Sequence, residues 1–514
     1  MHIKQRQIPA HRISQALLTL LGCLAICWMT NIPAFARTEP LPPPIHGESN
    51  APHAAKTVPV LMLSDVHFDP WHDPALFHQL QAAPVSRWAA ILSEPPSPDQ
   101  QKHFAALQQA CSAHGVDTDW TLLQSSLAAM QLADPHPDFV TLSGDLTAHE
   151  FRCRFEQLDP RGSDADYVAY AAKVASFVAY ALKHAYPRTP IYIALGNNDS
   201  SCGDYRESMH SQYLRRLAVA VANDAPAADR ATILREFPSE GDYDVALPKP
   251  FAHTRLIVMQ DIFEASNYSD CQNQPDPQAA KQQIAWLREH LAMDHAQGDQ
   301  VWFMSHIPPG VNVYQTIRDN PDVCGRTAPA MYLNSDQMVQ VLLRYAGEVR
   351  FAIFAHTHND ELRLLAPPAA FVSGQGAIPV KLVPSITPVH GNNPAFMMAE
   401  VDRATAIVKD YTIIVASNQT GVHTQWTPEY RWSTAYGMNA FSASSVAKLI
   451  THFEQDPHSE TEASRNYQQW FYAGRGRVPA LLLRFFWPAY ACSLNHMSAE
   501  GYRQCVCGAT PQAH

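Results

Sequence analysis

Five short apolar runs in this chain each end in side chains that bind cations. Val58–Leu63 leads into Ser64-Asp65-Val66-His67, and Phe139–Leu142 into Ser143-Gly144-Asp145. Ile191–Leu195 leads into Gly196-Asn197-Asn198-Asp199, Val301–Met304 into Ser305-His306, and Val349–Ala355 into His356-Thr357-His358. Carboxylate, carboxamide and imidazole groups without a thiol suit zinc, iron or manganese rather than calcium. The candidates Asp65, His67, Asp145, Asn197, His306, His356 and His358 are too many for one ion. Two ions about 3.5–4 Å apart are the arrangement that phosphoester hydrolysis uses. In such a pair a carboxylate bridges, and a hydroxide held between the ions becomes the nucleophile. Taken singly, each motif is ordinary: Gly-Asp makes turns, and a histidine after a strand is more often structural. All five in order, each directly after an apolar run, point to a dinuclear site. The motifs lie too far apart in sequence for a zinc finger, so the fold must bring them together.

Runs of this length and composition are buried strands. A sixth, Leu256–Met259, ends near Asp261, and helical patterns cover Trp120–Leu132, Tyr167–Ala185 and Ala279–His295. Strands alternating with helices predict a layered α/β fold. In such folds sites form beyond the carboxyl ends of the strands, which is where the five motifs stand. Residues 74–115, with Pro-rich turns around Glu94–Pro98, read as an insertion after the first strand. Beyond about 417 the character changes. Ser444–Phe453, Ser464–Ala473 and Pro479–Phe486 are aromatic-rich and helix-compatible, which predicts a helical C-terminal subdomain over 417–514.

At 514 residues, 46% hydrophobic and 17% charged, the chain has an ordinary globular composition. Its net charge of −11 argues against a nucleic-acid surface working by phosphate neutralisation. It leaves a phosphate-ester substrate open, because bound metal supplies positive charge locally. Lys4, Arg6 and Arg12, then the apolar Ile13–Met29, then Ala34-Phe35-Ala36 make a signal peptide over 1–36, cleaved after Ala36. The expected location is therefore secreted or periplasmic. Residues 37–57, rich in Pro, Ala and His, read as a linker to a catalytic domain over 58–416. No later run approaches the roughly 20 apolar residues of a membrane span, so no transmembrane segment is expected in the mature chain. Cys111, Cys153, Cys202, Cys271, Cys324, Cys492, Cys505 and Cys507 remain after cleavage and read as disulfides of open connectivity. Cys505 and Cys507 are too close to pair with each other, and one of them is expected to bridge to Cys492.

The ordered set D-x-H, G-D, G-N-[HN]-[DE], H and H-x-H resembles the calcineurin-like metallophosphoesterase superfamily over about residues 58 to 400. Within it the chain is most similar to the acid sphingomyelinase-like branch, which includes fungal vacuolar endopolyphosphatases. Ser143-Gly144-Asp145-Leu146-Thr147-Ala148-His149 carries the histidine four after the aspartate that this branch has. Ser385-Ile386-Thr387-Pro388 followed by Asn393-Pro394-Ala395-Phe396 is similar to its segment after the last metal motif, and a disulfide-tied helical region follows in both. No six-cysteine saposin module precedes the catalytic domain. The resemblance implies a four-layer α-β-β-α sandwich with a small helical C-terminal subdomain. It implies two divalent transition-metal ions, zinc first, with iron or manganese as alternatives. Asp65, His67, Asp145 and His358 would take one ion; Asp145, Asn197, His306 and His356 would take the other, with Asp145 bridging. Most of the superfamily has His after the metal-binding Asn, and here it is Asn198. An amide donates a hydrogen bond to a developing oxyanion but cannot act as general acid. The resembling endopolyphosphatases share that Asn, and His149 becomes the implied acid; its alternative is a turn residue or a partner of a ligand. Gly391-Asn392-Asn393 repeats the third motif but follows no comparable strand end, and reads as structural.

The expected function is hydrolysis of a P–O bond by an exported phosphoesterase that resembles acid sphingomyelinase-like phosphodiesterases. Its partner would be a phosphate-ester or phosphoanhydride small molecule, or a lipid headgroup. Hydrolysis of polyphosphate or nucleotide anhydrides is the alternative, and a metal-containing binding protein impaired at Asn198 is the rival of another class. Lack of the saposin module and the Asn198 change weaken a membrane-lipid substrate, and the acidic balance weakens a long polyanion. The insertion 74–115 and the stretches 200–250 and 307–330 are expected around the pocket. Trp71, Trp88, Tyr205 and Tyr314 read as packing aromatics.

Overall fold

A computed structural model describes residues 56–319, 323–325, 327–474 and 483–508. The signal peptide with its cleavage point, most of the linker, and Pro479–Leu482 of the third C-terminal segment lie outside them. In the first sheet β1 (Thr57–Leu63), β2 (Phe139–Ser143) and β3 (Ile191–Ala194) run parallel. From the other edge of β1 the sheet continues antiparallel through β10 (Ala395–Asp402), β11 (Val408–Ala416) and β12 (Trp426–Arg431). The second sheet is built from β4 (Tyr243–Ala246), β5 (Thr254–Val258), β6 (Gln300–Met304), β7 (Val349–Phe354), β8 (Glu361–Leu365) and β9 (Ile378–Leu382). Its order is β4-β5-β6-β7-β9-β8, with β5, β6, β7 and β9 parallel.

Side-chain alternation joins the layers. Trp302 and Met304 of β6, with Phe351 and Ile353 of β7, share one core with Val60 to Leu63 of β1. Phe139 of β2 meets Trp302 edge-on, with ring centres 5.6 Å apart, so the sheets pack face to face. Val301, Phe303, Ala352 and Phe354 alternate to the other side, against Ile284, Leu287 and Leu291 of the helix Pro277–Gln297. That helix starts at Asp276 with Pro in its first turn and stops at the left-handed Gly298. The helix Asp164–Ala185 starts in a Ser163–Asp166 capping box and buries Val174, Phe177, Val178 and Leu182 in the first core. The result is the α-β-β-α sandwich that the resemblance implied.

The insertion after β1 is helical, with Phe77–Ala82, Trp88–Leu92 and Gln100–Ala110 as its main pieces. The C-terminal region is largely helical and includes Ala443–Glu454, Glu462–Trp470 and Ala499–Cys507. The eight cysteines pair as Cys111–Cys153, Cys202–Cys271, Cys324–Cys507 and Cys492–Cys505. Cys492 therefore takes the first of the two closely spaced cysteines. Among the described residues no helix is long and apolar enough to cross a membrane.

Candidate metal centre

Past the last residues of β1 and β2 the ladder does not stop. Asp65 N–H donates to Gly144 O (3.0 Å), His67 N–H to Asp145 O (2.9 Å) and Phe68 N–H to Leu146 O (2.8 Å). On the other side Ile386 and Thr387 donate to Ser64 O (3.0 Å) and Asp65 O (2.9 Å). Ala355 N–H donates to His306 O (2.9 Å), which joins the loops that follow β6 and β7. Five candidates sit in the left-handed region: Asp65 (φ 46°), His67 (42°), Asp145 (53°), His356 (72°) and His358 (64°). Such backbone costs about 1–3 kcal/mol per residue and collects at functional sites. Two glycines make room. A Cβ on Gly196 would lie 2.1 Å from Asp145 Oδ1, and one on Gly144 2.5 Å from His306 Nδ1.

Asp65, His67, Asp145, His306, His356 and His358 converge, and Asn197 adjoins them through Asn198, whose backbone N–H donates to Asp145 Oδ1 at 2.9 Å. Asp145 Oδ2 lies 3.3 Å from His67 Nε2 and 3.2 Å from His306 Nε2, and His358 Nε2 lies 3.4 Å from Asp65 Oδ1. Ligand atoms of Asp65, His67 and Asp145 lie within 4.8 Å of one another, as do those of Asp145, His306 and His356. Asp145 belongs to both groups. His67 Nδ1 meets Thr147 O (3.0 Å) and His306 Nδ1 meets Ser143 O (2.7 Å). Facing carbonyl acceptors, these nitrogens carry the proton and each Nε2 presents a lone pair. Both carboxylate oxygens of Asp65, Nε2 of His67 and His306, Nδ1 of His358 and Oδ1 of Asn197 are buried without a hydrogen-bond partner. A buried polar atom left so costs about 1–3 kcal/mol. Six such atoms in one place, all oxygen or nitrogen, fit divalent cations.

The electrostatics point the same way. Burial opposes charge on His306, but the Asp145 carboxylate outweighs it and pushes the imidazole up to about 10; His67 is raised by the same balance. Asp145 is held well below the usual carboxylate range by His306 and His67, against the effect of burial. Burial, then the neighbouring His306, push His356 down to about 3. Without a cation the centre gathers protons around Asp145, so cations must displace them on binding.

His149 stands beside the first group. Its ring stacks on His67 with centres 3.9 Å apart, and its side chain is 28% exposed. Nδ1 lies 2.9 Å from Asp117 Oδ1, and its backbone N–H donates to Asp117 Oδ2 at 2.9 Å. Thr387 Oγ1 also donates to Asp117, at 3.1 Å. Burial opposes ionisation of Asp117, yet the His149 imidazole holds its carboxyl well below the usual range. Asn198 is turned onto Asp145: its backbone N–H reaches Oδ1 (2.9 Å) and its amide Oδ2 (3.0 Å).

Several residues of the centre carried no role in the sequence. Asp199, the last of the third motif, accepts from the backbone of Leu146 (2.9 Å), Thr147 (3.0 Å) and Gly196 (3.0 Å) and so locks two motif loops together. Burial and nearby Asp145 push it up to about 6 against those bonds. Asp261 receives the N–H of Ile307 (3.0 Å), next to His306. His390 is exposed, with its ring centre 4.5 Å from that of His358. Asn392 and Asn393 donate to Thr387 O (3.0 Å) and Ala416 O (2.9 Å), which ties their loop down. Trp71 and Trp88 are fully buried packing residues, whereas Tyr314 is 76% exposed and Tyr205 contacts His356.

A family model for calcineurin-like phosphoesterases matches residues 58–360. The mouse acid sphingomyelinase-like phosphodiesterase 3b is 26% identical over 423 residues, covering 77% of this chain and 79% of that protein. Sphingomyelinase phosphodiesterase D of Dictyostelium discoideum is 25% identical, over 63% of this chain and 67% of its own. A cyclic GMP-AMP phosphodiesterase of Bos taurus is 22% identical, over 54% and 60%. Among solved structures, a dimetal phosphatase of Danio rerio covers 73% of this chain and 99% of its own, at 11% identity and a TM-score of 0.37. The family model spans more than half of the chain, and the chain belongs to the calcineurin-like phosphoesterase family.

Proposed function

We propose that this chain is an exported, metal-dependent phosphodiesterase. Asp65, His67, Asp145 and His358 would hold one divalent cation and Asp145, Asn197, His306 and His356 the other, zinc being the first candidate. The observation that carries this reading is the shared Asp145, standing between two ligand groups in which Asp65, His67, Asn197, His306 and His358 each keep a buried polar atom without a hydrogen-bond partner. When bound, two such cations neutralise phosphoryl charge and make water nucleophilic near neutral pH. The chain's own residues do the rest. Asn198 fixes the shared carboxylate through its backbone N–H and its side-chain amide. Asp117 accepts the Nδ1–H hydrogen bond of His149 and stays a carboxylate, so a protonated His149 would give its Nε2 proton to the leaving oxygen as the P–O bond breaks and end as the neutral imidazole. The names of the relatives, all phosphodiesterases, support a diester over an anhydride.

Export is supported by the basic-apolar start of the sequence and by the four disulfides. The same reading assigns 1–36 to a signal peptide, 37–57 to a linker, 58–416 to the catalytic domain and 417–514 to the C-terminal subdomain. Hydrolysis of bis-p-nitrophenyl phosphate, abolished by chelator and restored by zinc or manganese, is the expected result. A metal-loaded chain that turns over neither this ester nor sphingomyelin nor a cyclic dinucleotide would favour a binding protein. Faster turnover of polyphosphate than of any diester would favour the anhydride reading.

A further inference from the structure

Tyr205 reads in the sequence as a packing aromatic, yet its hydroxyl lies 3.0 Å from Nε2 of His356. With that nitrogen engaged, His356 has Nδ1 left to turn toward Asp145 and His306. The preceding residue does the same for Asn197. Asp204 Oδ1 accepts the Asn197 amide at 2.7 Å, so the free group of that side chain is Oδ1, buried and without a hydrogen-bond partner. Tyr205 N–H also donates to the backbone carbonyl of Asn197 at 3.1 Å. Two consecutive residues therefore hold two candidate ligands of the same ion.

The loop that carries them is itself fixed. Cys202 is bridged to Cys271, Ser269 N–H donates to Tyr205 O (3.1 Å), and the Arg206 guanidinium donates to Cys271 O (3.2 Å). Ser201 N–H donates to the buried Glu207 at 3.0 Å. Tyr205 holds a left-handed backbone (φ 54°), which costs a non-glycine residue about 1–3 kcal/mol. Among the described residues no hydrogen bond runs from Asp204 or Tyr205 to Asp65, His67 or His358.

We infer that Asp204 and Tyr205 are positioning residues for one cation of the pair: they set which atom of Asn197 and of His356 faces it. The inference rests on the two-cation reading above. Outer partners of metal ligands typically change affinity about 10–100-fold when removed. The test is titration of the metal-free chain with zinc against a chromogenic chelator. Tyr205→Phe and Asp204→Ala should keep one ion at wild-type affinity and weaken the other about 10–100-fold. Asp204→Asn still offers an amide oxygen to Asn197 and should bind both ions as wild type does. Unchanged melting of the metal-free variants checks the fold. Wild-type affinity for both ions in Tyr205→Phe and Asp204→Ala would overturn the inference, and so would equal weakening of both. A wild-type chain that binds fewer than two ions would overturn the two-cation reading instead.

Discussion

Asp145 concentrates more of the proposed chemistry than any other residue, because both ligand groups include it. Replacing it by Asn keeps the size and removes the charge that holds two cations together. Asp145→Asn should therefore lower kcat more than loss of any other ligand, to below a tenth of wild type. A loss smaller than that, under about 1.4 kcal/mol of barrier, would contradict the bridging role. His149 is tested differently. An acid contributes about 10²–10⁴-fold where the leaving group needs a proton, and a p-nitrophenolate hardly does. His149→Ala should cost about 100-fold or more on an alkyl phosphodiester and far less on the p-nitrophenyl ester, at unchanged metal content. Equal losses on both at full metal content would mean that another group is the acid. The seven ligand candidates were legible because each follows an apolar run, and strand ends in a layered α/β fold share an edge. Asp117, Tyr205 and His390 were not. Each reaches the centre from a loop whose path follows from packing, and no spacing in the chain announces that.

At the scale of elements, the motif glycines are as specific as the ligands. A methyl group on Gly196 would meet Asp145 Oδ1 at 2.1 Å and its backbone nitrogen at 2.6 Å, so the shared carboxylate must move. Gly196→Ala should therefore lose at least one cation as well as activity; elemental analysis retaining both at wild-type activity would contradict this packing. The strands β1, β2, β3, β6 and β7 lay within a residue or two of their apolar runs because parallel strands, covered on both faces, read as continuous hydrophobic segments. The strands β8 to β12 escaped that pattern. β10 (AFMMAEVD) ends with Glu400 and Asp402 alternating with apolar residues, and β12 (WTPEYR) is an edge strand with Pro428 and no buried side chain. The insertion 74–115 showed its Pro-rich turns in sequence but not the short helices between them, which are held by Trp88 and Phe77 packing on Tyr170.

In the molecule as a whole, the C-terminal region grips the chain just past the H-x-H motif. Asp360 N–H donates to Phe471 O (3.0 Å), Tyr430 Oη donates to Asp360 (2.6 Å) and Tyr490 Oη to Glu361 (2.8 Å). Lys381 completes this buried cluster through its bond to Asp360. Cys324–Cys507 closes a loop with a sequence separation of 183 onto the same region. Replacing both cysteines by Ser should lower stability by about 2–4 kcal/mol in denaturant titration. A change under about 1 kcal/mol would mean that the unfolded chain gains little freedom from the cut. The central claim, two cations sharing Asp145, is tested most directly by anomalous diffraction from crystals grown with zinc or manganese. The account predicts two peaks about 3.5–4 Å apart with the Asp145 carboxylate between them. A single peak, or two peaks that do not share Asp145, would contradict it.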